Sequence, residues 1–289
     1  MNETNDNIQE YDMAMPDPRP KRRNTKKRGI FWIIACTGIA YGMMLLFALM
    51  GMVLNTLFDL NKFDAMVDMF GNCGLGLAAL ITCAILRRET GERVRDAVRW
   101  RDFNFLLVIM LTLAGWSLGE VCDHVAGSIL SNFMTIEPDE NYLEGFWGVV
   151  SAVICAPIFE ELIFRFGFVG LLKKNSGMPF TLIFTTLIFS LVHLYNIQNT
   201  GNVFLGTILA AYVYYRTGNL LYTIFEHALH NAICFIPLGA WNIGGIPLYL
   251  ERNGFVLAGW PWFLINLVVL VISMTWIIWY FKNQKNRIQ

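Results

Sequence analysis

The sequence predicts an all-α membrane protein, a bundle of eight transmembrane helices, and three observations support this fold class. The 289 residues are 55% hydrophobic and only 15% charged, with a mean hydropathy of +0.47, whereas about a quarter of the residues in soluble domains are charged. The apolar residues are concentrated in long runs that approach the roughly 20 residues needed to cross a bilayer. The loops between these runs alternate in charge, as is typical of loops on opposite sides of a membrane.

Eight apolar runs define the predicted spans. In chain order, they cover residues 30–57, 69–86, 103–131, 146–172, 179–195, 202–215, 219–237 and 261–281. Together they predict a membrane domain at 30–281, preceded by a disordered cytoplasmic tail at 1–29 and followed by a short cytoplasmic tail at 282–289. The first tail begins acidic and ends basic, and it contains too little apolar surface to fold by itself.

The distribution of positive charge predicts the orientation of the helices. The segment 87–102 contains six arginines, and lysine or arginine also follows the fourth, sixth and eighth runs. The opposite loops, 58–68 and 132–145, are acidic. Because positive charge marks the cytoplasmic side, eight spans would place both termini in the cytoplasm. We expect an integral protein of a bacterial plasma membrane.

The fourth run contains charged residues at a depth where lipid would lie, namely Glu160, Glu161 and Arg165. A charge at this depth costs several kcal/mol, so such residues usually face a protein interior or a water-filled cavity. Glu161 and Arg165 lie four residues apart and can pair on one helix face, whereas Glu160 is turned about 100° away. One alternative is that all three residues form packing and salt-bridge contacts between helices.

Two further spans contain polar residues at a similar depth. The fifth run contains His193, and the seventh contains His227 and Asn231. At 1.5 Å per residue, these side chains and Glu160 all lie roughly 12–22 Å above the cytoplasmic ends of their helices, so we expect them to converge. His227 and Asn231 share a helix face because they are four residues apart, while His230 is turned away from His227.

The residue types in this predicted cluster suit hydrolysis. A carboxylate and an imidazole can hold a water molecule and take its proton, and a second imidazole and a carboxamide can donate hydrogen bonds to a developing oxyanion. Two histidines and a carboxylate also form a common set of metal ligands, although the zinc-protease spacing His-Glu-x-x-His is absent. No serine or cysteine has a base at an informative spacing, which disfavours a covalent route.

Taken together, the three motifs resemble those of the CPBP family, the CAAX-protease and bacteriocin-processing proteins, also called the Abi family. That family has Glu-Glu-x-x-x-Arg, Phe-x-x-x-His and His-x-x-x-Asn on three membrane helices in this order. The corresponding motifs of this chain are Glu160-Glu161-x-x-x-Arg165, Phe189-x-x-x-His193 and His227-x-x-x-Asn231. The resemblance covers about residues 146–237, which we predict to be the catalytic core.

The resemblance implies an intramembrane endopeptidase whose active site lies on the fourth, fifth and seventh spans. By position, Glu160 would act as the general base that activates water, with assistance from His193. His227 and Asn231 would stabilise the oxyanion.

The resemblance also bears on cofactors and substrates. Glu161 and Arg165 would organise the site, and zinc stays open as a cofactor; if a metal is bound, its ligands would be Glu160, His193 and His227. Eukaryotic members trim a tripeptide from prenylated CAAX proteins, and many bacterial members are linked to bacteriocin maturation or self-immunity. The implied partners are a peptide or protein substrate, prenylated or bacteriocin-like, and membrane lipid, but no nucleic acid.

Two other functional classes remain open. Glutamate and histidine at the middle of a bilayer also form the proton relays of proton-coupled transporters, although this sequence has no evident internal repeat of the kind common in transporters. A non-catalytic membrane scaffold or immunity protein would retain the same residues without using them in a reaction.

Three features outside the core carry structural predictions. Glu120 and His124, four residues apart at the outer end of the third run, are expected to pair. The spacings of Gly38 and Gly42, and of Gly115 and Gly119, are small-residue spacings that let helices approach closely. The segment 238–260, with its aromatic and turn residues, predicts a loop at the membrane interface.

Overall fold

The computed structural model describes residues 25–58, 63–136, 145–193 and 200–285. The predicted amino-terminal tail up to residue 24, parts of both acidic loops and residues 286–289 lie outside these ranges. The first helix begins at Lys26, so the last basic residues of the predicted tail are helical. The final helix likewise continues to Lys285, into the predicted carboxyl-terminal tail.

Helices occupy the positions of the predicted spans within the described residues, and one short helix, Val94–Ala97, lies in the predicted loop 87–102. They are α1 (Lys26–Phe58), α2 (Phe63–Thr90), α3 (Val94–Ala97), α4 (Phe105–Leu130), α5 (residues 145–173), α6 (Met178–Val192), α7 (Thr200–Thr217), α8 (Leu221–Cys234) and α9 (Trp260–Lys285). The fourth, fifth and seventh predicted spans therefore correspond to α5, α6 and α8.

Five of the described helices, α1, α2, α4, α5 and α9, are long and apolar enough to cross a membrane. They leave many large apolar side chains exposed, among them Leu45, Leu80 and Val271, which is typical of helices that face lipid. The chain is thus an all-α integral membrane protein. Because α6, α7 and α8 are shorter, the count of eight spans stays a prediction, as does the orientation.

Local sequence explains where several helices begin. The Thr25 hydroxyl accepts a hydrogen bond from Arg28 N over 3.3 Å at the start of α1. Asn104 caps α4, since its Oδ1 accepts from Leu106 N over 3.0 Å. Pro179 lies in the first turn of α6. Such residues satisfy, or remove, backbone N–H groups that have no partner in the first turn of a helix.

The helix α5 is not a regular α-helix. Its α-helical parts alternate with π-helical parts. The α-helical parts are Gly145–Val149, Ala156–Glu161 and Gly170–Lys173, and the π-helical parts are Val150–Cys155 and Leu162–Val169. A π-helical segment is rare and frequently occurs at a functional site. Because its turns are wider, sequence spacing alone does not fix which face of α5 a side chain occupies.

A proline lies just after the first π-helical part. Ala156 N bonds to Ser151 O, five residues back, and the same register would pair residue 157 with the Ala152 carbonyl. Pro157 has no N–H to donate. Asn231 on α8 fills this role, because its Nδ2 donates to Ala152 O over 2.7 Å. The interruption in α5 is therefore stabilised by a side chain from another helix.

Two apolar clusters hold the helices together. The first combines α1, α2, α5 and α6 and includes Ile33, Leu86 and Phe166. The second combines α4, α7, α8 and α9 and includes Leu111 and Ile277. Because lipid tails are as apolar as these side chains, the stabilisation comes from close packing rather than from removal from water. The helix α8 contacts both α4 and α5, so it connects the two halves of the bundle.

One glycine of α2 allows a close approach to α1. A Cβ atom at Gly74 would lie 2.5 Å from the Met43 carbonyl oxygen, so only glycine fits there. The prediction of a close contact is wrong at Gly38 and Gly42, where a built Cβ atom would have no described atom within 4 Å apart from its own stretch of α1. At Gly115 a built Cβ atom would lie 3.4 Å from Glu226 Oε1 of α8, so a close contact does occur there.

The segment 238–260 contains two short antiparallel β-hairpins, which the loop prediction missed. The four strands are β1 (Asn242–Ile243), β2 (Ile246–Pro247), β3 (Tyr249–Arg252) and β4 (Phe255–Ala258). In the first hairpin Asn242 lies opposite Pro247, and in the second Tyr249 lies opposite Ala258.

Each hairpin turns at two residues with positive φ. These are Gly244 and Gly245 in the first hairpin, and Asn253 and Gly254 in the second. Gly-Gly and Asn-Gly are preferred in two-residue hairpin turns because they accept this conformation at low cost. These two dipeptides are the sequence signal that would have identified the hairpins.

Candidate active site

The charged residues of α5 lie at the boundary between its central α-helical part and its second π-helical part. Glu161 is fully buried and Arg165 is only 4% exposed. The Glu160 side chain is 15% exposed. Charges buried this deeply are tolerated only when they are paired or hydrogen-bonded, so their partners decide what each residue can do.

Glu161 connects α5 to α8. Its Oε2 lies 3.2 Å from Arg165 Nε, which confirms the pairing predicted from the four-residue spacing. Its Oε1 lies 3.1 Å from His227 Nδ1. The Arg165 guanidinium also lies 4.8 Å from the centre of the Phe189 ring on α6, a cation–π distance. The carboxylate of Glu161 therefore fixes the position of the His227 ring.

Glu160 lies between the two histidines. Its Oε2 is 3.8 Å from His193 Nε2 and 3.9 Å from His227 Nε2. Both distances are too long for direct hydrogen bonds. This oxygen is buried, and it has no hydrogen-bond partner among the described residues. The structure thus brings side chains from α5, α8 and the end of α6 together around one unsatisfied carboxylate oxygen.

The far side of each imidazole determines which nitrogen carries the proton. His193 Nδ1 lies 2.7 Å from the Phe189 carbonyl oxygen, which can only accept. His227 Nδ1 faces Glu161, which accepts when ionised. Both Nδ1 atoms therefore donate, and in the neutral rings both Nε2 atoms are acceptors. At 3.8 and 3.9 Å neither Nε2 atom is close enough to donate to the Glu160 oxygen, whether or not its ring is protonated, so this oxygen still needs a donor.

A water molecule meets this requirement, because it can donate two hydrogen bonds and satisfy a carboxylate and an imidazole at the same time. In that position the water would lie beside a group that can take its proton. General-base catalysis needs this geometry, a base within hydrogen-bond reach of the proton that it abstracts.

Glu160, His193 and His227 are also the predicted metal ligands. Around tetrahedral zinc, with bonds of about 2.0–2.1 Å, ligand atoms lie about 3.4 Å apart. The two separations from the Glu160 oxygen are wider, 3.8 and 3.9 Å. Within the described part of the chain, no group of three His, Cys, Asp or Glu side chains is placed to hold a metal ion. The side chains as they stand therefore do not fit zinc.

Asn231 lies one turn beyond His227 on α8, but its described contact is with the backbone of α5 rather than with Glu160. Its Nδ2 donates to Ala152 O. A carboxamide has two N–H groups, so one remains for another acceptor. The oxyanion role of Asn231 stays a prediction.

Three contacts around the site were missed in the sequence. The Phe189 ring stacks on the His193 ring with their centres 4.4 Å apart. The Tyr41 hydroxyl donates to Val192 O over 2.8 Å, at the end of α6. Glu226, only 7% exposed, lies against a glycine of α4. A carboxylate inside an apolar run signals Glu226, but no local pattern signals the Tyr41 contact, which joins distant parts of the chain.

Comparison with known proteins agrees with the chemistry of this site. The family described as Type II CAAX prenyl endopeptidase Rce1-like matches residues 142–233, which contain all six predicted site residues. The chain is 27% identical over 185 residues to a Bacillus subtilis protein named "Putative membrane peptidase YdiL". That match covers 60% of this chain and 71% of the relative. No solved structure matches the chain significantly.

Proposed function

Because this chain belongs to the CPBP family of membrane peptidases, we propose that it is an intramembrane endopeptidase that uses Glu160 to activate water. One observation carries the proposal. A buried carboxylate oxygen faces the Nε2 atoms of His193 and His227 at 3.8 and 3.9 Å, and it lacks a donor among the described residues. A water molecule held there is positioned to lose a proton.

The reaction proceeds by direct attack of this water on the peptide carbonyl. Glu160 accepts one proton as the water oxygen bonds to the carbonyl carbon, with His193 holding the second proton in a hydrogen bond. The carbonyl oxygen then carries a negative charge. As the carbon–nitrogen bond breaks, the proton moves from Glu160 to the departing amine nitrogen, and the carboxylate is regenerated.

His227 and Asn231 stabilise the negative oxygen in this proposal. For His227 to donate from Nε2, its ring must carry a proton on both nitrogens, and the carboxylate of Glu161 at 3.1 Å balances the resulting positive charge. Asn231 contributes the N–H that its bond to Ala152 O does not use. Each such donor is worth about 3–4 kcal/mol in a dry site.

The location of the site supports one class of substrate. The reacting groups are on α5, α8 and the end of α6, inside apolar segments, so the scissile bond must reach the membrane. A peptide with a lipid anchor or an apolar flank meets this condition. We propose a prenylated CAAX peptide as the first candidate and a bacteriocin-like peptide as the second.

Cleavage of a quenched prenylated CAAX peptide by the purified full chain in detergent tests the proposal. We expect Glu160→Gln to reduce turnover about 10²–10⁴-fold, the usual contribution of a general base. Glu120→Gln, a matched change in α4, should leave turnover unchanged. Undiminished cleavage by Glu160→Gln would remove Glu160 from the reaction, and no cleavage by the wild type would exclude this substrate class.

Adding a chelator to the same cleavage assay tests whether the reaction needs a metal ion. We expect the chelator to leave turnover unchanged, and a loss that added Zn²⁺ restores would contradict the proposed route. The two other functional classes give different results. A carrier would move protons across liposomes in a Glu160-dependent way, and a scaffold would keep its cellular phenotype in Glu160→Gln.

A further inference from the structure

A cavity lies away from the candidate active site, along α7 and α9. Its volume is about 570 Å³, within the range of ligand-binding pockets. None of the six predicted site residues lines it. Its apolar wall includes Leu118 of α4, Leu205 of α7, and Met274 and Ile278 of α9. A long hydrocarbon chain could lie against this wall.

One end of this groove is positively charged. Arg216 and Lys282 line it, and both are exposed. The Arg216 guanidinium lies 5.4 Å from the centre of the Phe281 ring, and its Nη1 donates to the Tyr212 hydroxyl over 3.1 Å. Among the described residues, no carboxylate lies within ion-pair distance of Arg216 or Lys282. Aromatic contacts therefore hold the guanidinium while its charge stays available.

The charged end of the groove lies at one surface of the membrane domain. Arg99, in the arginine-rich segment 87–102, donates to the Thr217 carbonyl, directly beside Arg216. From Leu205 to Arg216 the helix α7 rises about 16 Å, roughly half of the 30 Å hydrocarbon core of a bilayer. The groove therefore matches the depth of one leaflet, with its cations at the level of the head groups.

We propose that this groove binds a phospholipid with an anionic head group, with an acyl chain along the apolar wall and the phosphate between Arg216 and Lys282. An apolar wall alone gives little selectivity, because the surrounding lipid is equally apolar. The head group must therefore supply the selectivity, and basic pockets between transmembrane helices are known to bind anionic head groups. Arginine also forms strong charge-assisted hydrogen bonds with phosphate oxygens.

A zwitterionic lipid would fill the same groove but would bring its own ammonium group to the two cations. We therefore expect phosphatidylglycerol to bind about 10–30-fold more tightly than phosphatidylcholine with the same chains, the selectivity that two surface cations supply. Native mass spectrometry of the delipidated full chain, with each lipid added back, measures this ratio directly. It does not depend on peptide cleavage.

Charge variants identify the groove as the place of binding. Arg216→Gln with Lys282→Gln should abolish the preference for phosphatidylglycerol. The matched control, Arg87→Gln with Arg88→Gln, removes the same charge from exposed positions that do not line the groove, and it should keep the preference. Ile278→Trp narrows the groove at an exposed position and should weaken binding of phosphatidylglycerol without changing the charge.

Four outcomes would overturn the proposal. The first is equal binding of the two lipids by the wild type, and the second is a preference for phosphatidylglycerol that survives the groove double variant. The third is displacement of the lipid by a farnesylated peptide, which would assign the groove to the substrate. The fourth is displacement by inorganic phosphate at the same concentration as the lipid. This result would show that the site binds phosphate and that the acyl chain contributes nothing to binding.

Discussion

The candidate active site and the carboxyl-terminal half of α4 each contain a carboxylate and a histidine, but their hydrogen bonding differs. In α4, Glu120 Oε1 accepts from the Tyr249 hydroxyl over 2.6 Å, and Trp262 Nε1 donates to the same hydroxyl oxygen over 3.2 Å. In the candidate site, Glu160 Oε2 faces two imidazole nitrogens and no donor among the described residues. The first carboxylate is satisfied, and the second needs an additional molecule.

The histidines differ in the same way. His124, four residues after Glu120, stacks on Phe263 with the ring centres 4.6 Å apart, and the expected pairing of His124 with Glu120 is not found among the described contacts. His193 and His227 come from different helices, yet both direct Nε2 towards Glu160. A four-residue spacing therefore does not identify a reactive pair. The two glutamates differ in their surroundings, since Glu120 accepts from the Tyr249 hydroxyl, whereas Glu160 Oε2 has no donor within hydrogen-bond distance among the described residues.

The largest expected effect comes from replacing one histidine with alanine in each of the two regions. His193→Ala should lower turnover of the prenylated peptide about 10²–10⁴-fold, because it removes the imidazole that holds the attacking water. His124→Ala, the matched change in the carboxyl-terminal half of α4, should leave turnover unchanged. Steady-state kinetics on both variants measures the contrast. Equal losses would show that the two regions do not differ in function.

The second prediction concerns the buried ion pair. Glu161→Ala leaves Arg165 buried without its carboxylate, so the free energy of unfolding should fall by about 3–5 kcal/mol. Thermal unfolding in detergent measures the loss. A double variant, Glu161→Ala with Arg165→Leu, should recover part of the stability because it removes the unpaired charge. Equal stability of the wild type and Glu161→Ala would contradict the pairing.

Asn231→Ala should lower turnover about 10²-fold through the loss of an oxyanion donor. It should also lower stability by about 1–3 kcal/mol, since the Ala152 carbonyl is left without a partner. Asn231→Asp keeps the shape of the side chain but removes both donors. Kinetics and unfolding measured together separate the two roles. Full activity with reduced stability would limit Asn231 to holding α5.

The smallest effect is expected at Tyr249. Tyr249→Phe removes the donor to Glu120 and should lower stability by about 1–3 kcal/mol, with turnover unchanged. Burial and the neighbouring carboxylate raise the pKa of Tyr249 above its ordinary value, so the hydroxyl stays protonated and keeps donating at alkaline pH. A change in turnover beyond the experimental error would show that the contact between Glu120 and Tyr249 is coupled to the candidate active site.

Much of the site could be predicted because its residues break a strong pattern. Charged and polar side chains are conspicuous inside apolar runs, and depth along a helix follows from residue counting, so the meeting of Glu160, His193 and His227 could be inferred without coordinates. The pairing of Glu161 with Arg165 also followed from spacing. The ion pair between Glu161 and Arg165 forms even though the helix is π-helical from residue 162 onward.

Other features depend on contacts between distant segments, which no local pattern contains. The missing donor at Pro157 is visible in the sequence, but the choice of Asn231 to replace it depends on how α8 packs on α5. The close approach of α1 and α2 occurs at Gly74 rather than at the motif of Gly38 and Gly42. In that case the motif was present, but the helix contact lay elsewhere.

Pro157 also has a mechanical consequence. No backbone hydrogen bond can run from residue 157 to the turn before it, so the backbone hydrogen bonding of α5 is interrupted there, and the bond from Asn231 to Ala152 O ties the two parts to α8. In the proposed mechanism the second N–H of the same amide binds the peptide carbonyl. Any change in the bond to Ala152 on substrate binding would then couple binding to the geometry of α5, and the coupling free energy would be the same in both directions.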